Sequence, residues 1–397
     1  MHDLWTTLDT SCVRRPMKKQ SLKAYFRRSN YTLTRAIIHT RASFDNSQMR
    51  YLTKTCKKLK VLQMCGSGII GSSLMDALHD AHNLESLTVS RNCEMSSRHV
   101  HNAMVICQKS LVDVSFQSVK GMLHGDVQHG KLEALKSIEL RSSEGKQIFI
   151  VSSPANRGLS SCNTINWKQN ILIECTPNVE RVVLEGWSCI PVLPDLVGWA
   201  CLESLTFSDM NLQLLPKLPA TLKHLHLNDN YHLGIEDGDV FELPQLETLN
   251  VHGCLNLSSA AIIALTKECI KTGNLKCLEV GGRLHDSRIS ADTQYPSSES
   301  LEALRFDSMI VGDKDIMAVV DLYPNLRRLD IHGTKVTGVG MRYLFDRGLT
   351  YVNVKFCEEL GEDAVIWARA KGVEVEWKPG APGIIGRAFR TSRADVY

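Results

Sequence analysis

Apolar residues recur along most of this chain in a short motif, LxxLxL, whose last two apolar positions fall on one side of an extended segment. It reads Leu59-Leu62-Met64, Leu84-Leu87-Val89, Leu111-Val114-Phe116 and Leu135-Ile138-Leu140. It resumes as Val179-Val182-Leu184, Leu202-Leu205-Phe207, Leu222-Leu225-Leu227 and Leu246-Leu249-Val251. Leu275-Leu278-Val280, Leu301-Leu304-Phe306, Leu326-Leu329-Ile331 and Leu349-Val352-Val354 follow, and a weaker copy, Leu33-Ala36-Ile38, precedes them all. Successive central residues lie 20 to 29 positions apart, except for one interval of 44 between Ile138 and Val182. Each copy predicts a short strand, then a turn, then a return to the next strand. Two returns, 71–81 and 257–267, carry helical spacing.

A period of 20–29 residues in this dress is that of leucine-rich repeats. One unit cannot bury its apolar side alone, whereas stacked units share a continuous core. The fold class predicted is α/β: a leucine-rich-repeat solenoid, a right-handed α/β horseshoe of about 12–13 repeats with parallel strands on its concave face. Asn92, Asn230, Cys254, Thr334 and Cys357 follow their strands at the turn, where a small polar side chain satisfies backbone groups turned inward. Two stretches interrupt the period: 141–177, an inserted loop or a degenerate unit around Ile148–Val151, and a non-helical return at 285–300. The expected organisation is a basic helical link over 1–32, a repeat domain over 33–377 and a flexible basic tail over 378–397.

Composition narrows the picture. Of 397 residues 43% are hydrophobic and 22% charged, as in a well-packed chain rather than a disordered one. Residues 1–15 lack an uninterrupted apolar core, and no stretch approaches the roughly 18 apolar residues of a membrane span. An intracellular protein, cytoplasmic or nuclear, is expected. The 13 cysteines include no CxxC pair, which favours reduced core thiols over disulfides or zinc. The net charge of +3 hides an asymmetry: residues 1–60 hold 14 of the 46 basic residues but 3 of the 43 acids. Such a segment suits a polyanion or an acidic protein surface. No aromatic-rich strand motif accompanies it, which disfavours nucleic acid.

Catalytic and cofactor chemistry finds little foothold. The run Gly66-Ser67-Gly68-Ile69-Ile70-Gly71 imitates a dinucleotide-binding fingerprint. The next strand ends in Ser90-Arg91 without the required acid, so the glycines are assigned to a turn and no cofactor is expected. His224 and His226 share a strand face with His252 and His332 nearby, yet no fuller ligand set accompanies them, and no metal site is assigned. No catalytic residue is assigned, and an enzyme is not expected. In a strand written LxxLxL the third and fifth positions point outward. That places His224, His226, Asn250, Glu279, Arg305, Arg328, Asp330, Tyr351 and Asn353 on the concave sheet. His252, Asp307, His332 and Lys355, two residues further along, extend the same face. This mixed polar surface, with Arg and Tyr as anchors, is the candidate protein-binding site of a monomer.

At the N-terminus Leu4-Trp5-Thr6-Thr7-Leu8-Asp9 resembles the LWxxLD-like segment that follows the F-box in F-box/leucine-rich-repeat proteins, particularly fungal ones. Basic residues 14–28, with Leu22, Tyr25 and Phe26, are similar to that family's helical link into its first repeat. The phrase Leu215-Pro216-Lys217-Leu218-Pro219 and the cysteine-type unit ending at Cys357 are similar too. The resemblance implies a substrate-recognition subunit of an SCF-type ubiquitin ligase, acting in ubiquitin-dependent protein degradation. In such a subunit the repeats hold the protein substrate and Leu4, Trp5 and Leu8 sit beside the adaptor. No LPxE-type F-box opening precedes Leu4, so docking to Skp1 and the cullin machinery is expected only with an F-box upstream. The alternative is a repeat scaffold, such as a GTPase regulator, unconnected with ubiquitin.

Overall fold

In a computed structural model of the chain, the structure describes residues 6–13, 15–39, 42, 44–65, 71–90, 95–120, 131–142, 176–186, 193, 195–235, 240–282, 296–307 and 311–378. Leu4, Trp5, glycines 66 and 68, Asn92, nearly all of the 141–177 insertion, most of the 285–300 return and the tail after 378 lie outside the described residues. The chain divides into two compact units, the second holding everything from Leu205 onward.

The first unit contains β1 (Thr7–Asp9), α1 (Lys19–Arg28), β2 (Arg35–His39), α2 (Asn46–Thr55), β3 (Val61–Cys65), α3 (Gly71–Leu78) and β4 (Ser86–Ser90). It continues with β5 (Met95–Ser96), α4 (Ser97–Ile106), β6 (Asp113–Lys120), β7 (Ser137–Ser142) and β8 (Arg181–Glu185). Its strands pair in parallel in the order β1-β2-β3-β4-β6-β7-β8, with the short β5 beside β6. Register keeps apolar on apolar: Leu8 aligns with Ala36, Ala36 with Leu62, and the column continues through Leu87, Val114, Ile138 and Val182. None of these seven is more than 2% exposed. A fully buried leucine or valine contributes roughly 1.5–3 kcal/mol, so the column supplies much of the stacking free energy. Local signals start the returns. Asp45 caps α2 by accepting from the Gln48 N–H at 2.8 Å, while the Gln48 side chain accepts from the Asp45 N–H at 2.9 Å.

The second unit contains β9 (Ser204–Ser208), β10 (His224–His226), β11 (Thr248–Asn250), α5 (Ser259–Lys271), β12 (Cys277–Glu279) and β13 (Ala303–Arg305). Then come α6 (Asp313–Asp321), β14 (Arg328–Asp330), α7 (Gly338–Asp346), β15 (Tyr351–Asn353), α8 (Glu362–Ala370) and β16 (Glu374–Glu376). Strands β9 to β16 lie side by side in sequence order. From β10 on, Leu225, Leu249, Leu278, Leu304, Leu329, Val352 and Val375 align in one column. Helices α6, α7 and α8 pack on one another, while the returns around β10 are irregular. In both units parallel strands alternate with returning segments about a shared apolar column, and the fold is the predicted α/β leucine-rich-repeat solenoid.

The predicted turn chemistry is present where it is described. Asn230, wholly buried, donates from Nδ2 to the carbonyls of Phe207 (2.8 Å) and Leu227 (2.7 Å) and accepts from the Met210 N–H (3.1 Å). The Cys254 thiol donates to the Leu227 carbonyl at 2.9 Å, the Thr334 hydroxyl to that of Ile331 at 2.7 Å, and the Cys357 thiol to Ile331 at 3.3 Å. Burial pushes the Cys254 thiol up to about 12, so it acts as a neutral donor and not as a thiolate.

Three elements differ from the sequence reading. The segment expected as a helical link does form a helix at α1, but it opens with a strand, because Leu8 enters the apolar column beside Ala36. Tyr25 on α1 donates its hydroxyl to the Thr7 carbonyl at 2.5 Å, locking helix and strand together. At the other end β16 adds one more parallel strand after the last recognised copy. The return predicted at 257–267 runs to Lys271, capped by the Ser258 hydroxyl accepting from the Ala261 N–H at 3.2 Å.

Candidate functional site

The outward positions of the second unit fall into columns as regular as the leucines. Register aligns His224, Thr248, Cys277, Ala303, Arg328 and Tyr351 in one, and His226, Asn250, Glu279, Arg305, Asp330, Asn353 and Glu376 in the next. A third column follows two residues beyond each strand: His252, Gly281, Asp307, His332 and Lys355. On three of the five strands an aspartate or asparagine at the strand end shapes the turn that leads into it. Asn250 Oδ1 accepts from the His252 N–H (2.9 Å), Asp330 Oδ1 from the His332 N–H (3.2 Å) and Asn353 Oδ1 from the Lys355 N–H (3.2 Å). Each short loop turns the chain while keeping the following side chain beside its neighbours.

Asp307 is the centre of the site. Its Oδ2 lies 3.0 Å from His252 Nε2 and 3.2 Å from His332 Nε2, and its Oδ1 accepts from Arg305 Nε at 2.6 Å. His332 turns its Nδ1 to Asp330 Oδ1 at 2.9 Å, and Asn353 Nδ2 donates to Asp330 Oδ2 at 3.1 Å. On the other flank Arg305 Nη1 stands 3.6 Å from Glu279 Oε2, which accepts from Asn250 Nδ2 at 2.9 Å. Eight of the predicted residues thus join one network over five strands: Asn250, His252, Glu279, Arg305, Asp307, Asp330, His332 and Asn353. Burial alone would raise the Asp307 carboxyl, but the hydrogen bonds from His252 and Arg305 outweigh it and hold it near about 2. Its hydrogen bond to Asp307 raises His252 above the ordinary imidazole value, against the opposing effect of burial. Asp330 is likewise lowered: burial opposes ionisation, and the His332 hydrogen bonds prevail.

Two predicted outward residues are in fact buried. Asp307 is 1% and Asn353 8% exposed. Asp307 is covered by the very side chains it binds, and Asn353 by its bonds to Asp330 and the Lys355 backbone. They organise the surface, while His252, Arg305 and His332 present their edges to solvent. Arg328 lies over the Tyr351 ring at 4.6 Å, a cation–π pair at the margin, and Lys355 is ion-paired with Glu376. His224 Nδ1 meets Thr248 Oγ1 at 3.2 Å, and His226 occupies the first place of the central column. Leu8 is 2% exposed inside β1 and presents no surface.

Two contributors escaped the sequence reading. Gly281 lies between His252 and Asp307, and a Cβ there would stand 2.2 Å from Asp307 Oδ1 and 2.8 Å from His252 Cδ2. The missing side chain lets partners two repeats apart touch. Glu376 belongs to the unrecognised β16, which the alternation Val373-Glu374-Val375-Glu376-Trp377 would have revealed.

Chemically the site is a set of charged side chains that fix one another in place. The one thiol in its first column, Cys277, is pushed up by burial to about 11, away from nucleophilic use at neutral pH. No group of three or more His, Cys, Asp or Glu among the described residues is arranged to hold a metal ion, and no described helix is long and apolar enough to cross a membrane.

No protein-family model matches the sequence, and no curated protein does. Among solved structures the chain is similar to that of the Rad7 and Elc1 complex in yeast, with 15% identity over 94% of this chain and 84% of that one and a TM-score of 0.43. It is also similar to a leucine-rich-repeat protein of Leptospira interrogans, with 13% identity over 93% and 94% of the two chains and a TM-score of 0.48.

Proposed function

We propose that this chain is a non-catalytic protein-recognition module whose partner docks on the outward columns of β10–β16. The observation that carries this reading is the network around Asp307. A buried carboxylate fixes His252, Arg305 and His332 in place, beside the Arg328–Tyr351 pair. Side chains held in advance lose little freedom on binding, and Arg and Tyr are frequent energetic anchors of interfaces. The finer reading is that the module selects substrates for an SCF-type ubiquitin ligase. It rests on the resemblance of Leu4-Trp5-Thr6-Thr7-Leu8-Asp9 to the segment after an F-box.

The test compares proteins retained by the wild type with those retained by Arg328→Glu/Tyr351→Ala, quantified by mass spectrometry. A set lost with those two substitutions supports recognition at this face, and an identical set refutes it. The ligase reading has its own measurement, co-purification of the natural full-length protein with Skp1. Absence of Skp1 removes the ligase reading and leaves the recognition reading standing.

A further inference from the structure

The first unit carries a second charged surface that the site above does not use. Helices α1 and α2 belong to successive returns and meet through a few long side chains. Lys19 Nζ is 3.5 Å from Ser47 Oγ, the Lys23 ammonium sits 5.6 Å over the Tyr51 ring, and the Phe26 ring stacks on Tyr51 at 5.8 Å. Lys19, Lys23 and Arg27 recur every four residues along α1, and Arg50 and Lys54 do so along α2, with Lys58 just beyond. All six are exposed, and none forms an ion pair among the described residues. Four residues of helix advance about 6 Å, so each row spaces its charges at roughly that interval.

Stability of the fold explains only part of this arrangement: Arg27 and Lys54 lie in the last turns of their helices, where the dipole favours cations, but the others do not. Like charges at i, i+4 repel, and Lys18 and Lys19 stand at the positive end of the α1 dipole with no acid in its first turn. Among the described residues the acid on the rim, Asp45, feels the Lys19 charge but is engaged as the cap of α2. Where carboxylates are at hand the adjoining cations do bind them: Lys57 pairs with Asp80 at 3.7 Å and Lys60 with Glu85 at 2.7 Å.

We infer that the α1–α2 face docks an acidic protein helix whose carboxylates recur every four residues. Two features favour a protein over other polyanions. The large apolar side chains of α1, Leu22 and Phe26, are wholly buried and only the small Ala24 is exposed, which leaves no bulky apolar edge to enter a bilayer. The one aromatic ring between the rows, Tyr51, is half-buried under Lys23 and offers no platform for a base. Carboxylates spaced about 6 Å apart on a partner helix match the rows one for one.

The experiment titrates the full chain, at about 0.15 M salt, with a labelled helical peptide of about 20 residues bearing glutamate at every fourth position. A shuffled peptide of the same composition, a duplex DNA of equal charge and phosphatidylserine vesicles serve as rivals. The patterned peptide is expected to bind better than every rival. Lys19→Gln/Lys23→Gln/Arg27→Gln is expected to weaken it at least about tenfold, a loss of about 1.4 kcal/mol. Arg50→Gln/Lys54→Gln, on the other helix, should weaken it independently, and Lys267→Gln/Lys271→Gln on α5 should leave it unchanged. Circular dichroism identifies any variant that fails to fold, in which case the other helix's variant decides. No binding by the wild type overturns the inference. So does binding by both the α1 and the α2 variant equal to that of the wild type, or binding of the shuffled peptide, the duplex or the vesicles as tight as that of the patterned peptide or tighter.

Discussion

Replacing Asp307 by Asn removes one charge without changing the shape of the side chain, and its effect follows from the geometry. The carboxyl is held near about 2, against an ordinary value of 3.8. At about 1.4 kcal/mol per unit, that difference corresponds to roughly 2 kcal/mol of native-state stabilisation by the ionised form. With 1% of the residue exposed, solvent screens little of it. A folded-state value below the unfolded one means the contribution is complete above about pH 4 and is lost as pH falls toward about 2. Asp307→Asn also deprives the His252 ring of its anion and leaves Arg305 and His332 only the outer carboxylates of Glu279 and Asp330, and breaking a buried charge cluster costs about 3–5 kcal/mol at its upper range. The expected loss at pH 7 is therefore about 2–4 kcal/mol, read from the urea midpoint and slope. Two signatures tie it to the network. The variant should lack the steep decline of the wild type between about pH 4 and pH 2. The His252 titration, followed by NMR, should move down, because the Asp307 hydrogen bond is the largest cause of its elevation. A midpoint unchanged within about 0.5 kcal/mol, or a His252 titration that stays in place, would refute the account of Asp307 as the organising anion.

The other expectations probe neighbouring links. Gly281→Ala places a methyl 2.2 Å from Asp307 Oδ1; it should cost about 1–3 kcal/mol and lower the His252 titration as Asp307→Asn does, and an unshifted titration contradicts the close-approach argument. Because His252 is raised in the folded state, its contribution is complete below about pH 6.5 and fades as pH rises through the raised value. Stability of the wild type should fall across that window, and His252→Gln should flatten this part of the profile. Asn230→Ala strands the Phe207 and Leu227 carbonyls and the Met210 N–H, so a loss of about 2–3 kcal/mol in urea unfolding is expected, and a loss below about 0.5 kcal/mol would mean water replaces the side chain. Leu225→Ala, in the middle of the shared column, should cost about 2–5 kcal/mol by the same measurement.

Sequence alone revealed the stacked column, because its signal is local and repeated: each copy states the same inward pair about two dozen residues after the last. It failed at both ends for one physical reason. In the described sheet β1 and β16 each pair on one side only and carry a weaker apolar signal, β1 offering only Leu8 and β16 only Val375 within an alternation of valine and glutamate. The outward columns followed from alternation, which is why eight of the predicted residues meet in one network. What alternation cannot give is contact between repeats. His252 and Asp307 are 55 residues apart and two strands apart, about 10 Å at the usual strand spacing, so each must reach over the position between them. Only glycine there leaves room. The informative pattern therefore runs across the repeats, His252, Gly281, Asp307, His332, and becomes visible only after the register is assigned. A small residue flanked by long polar ones in such a column marks a place where charges converge. Because that convergence buries Asp307 and leaves His252, Arg305 and His332 half-exposed, the column separates residues that organise a surface from residues that present it.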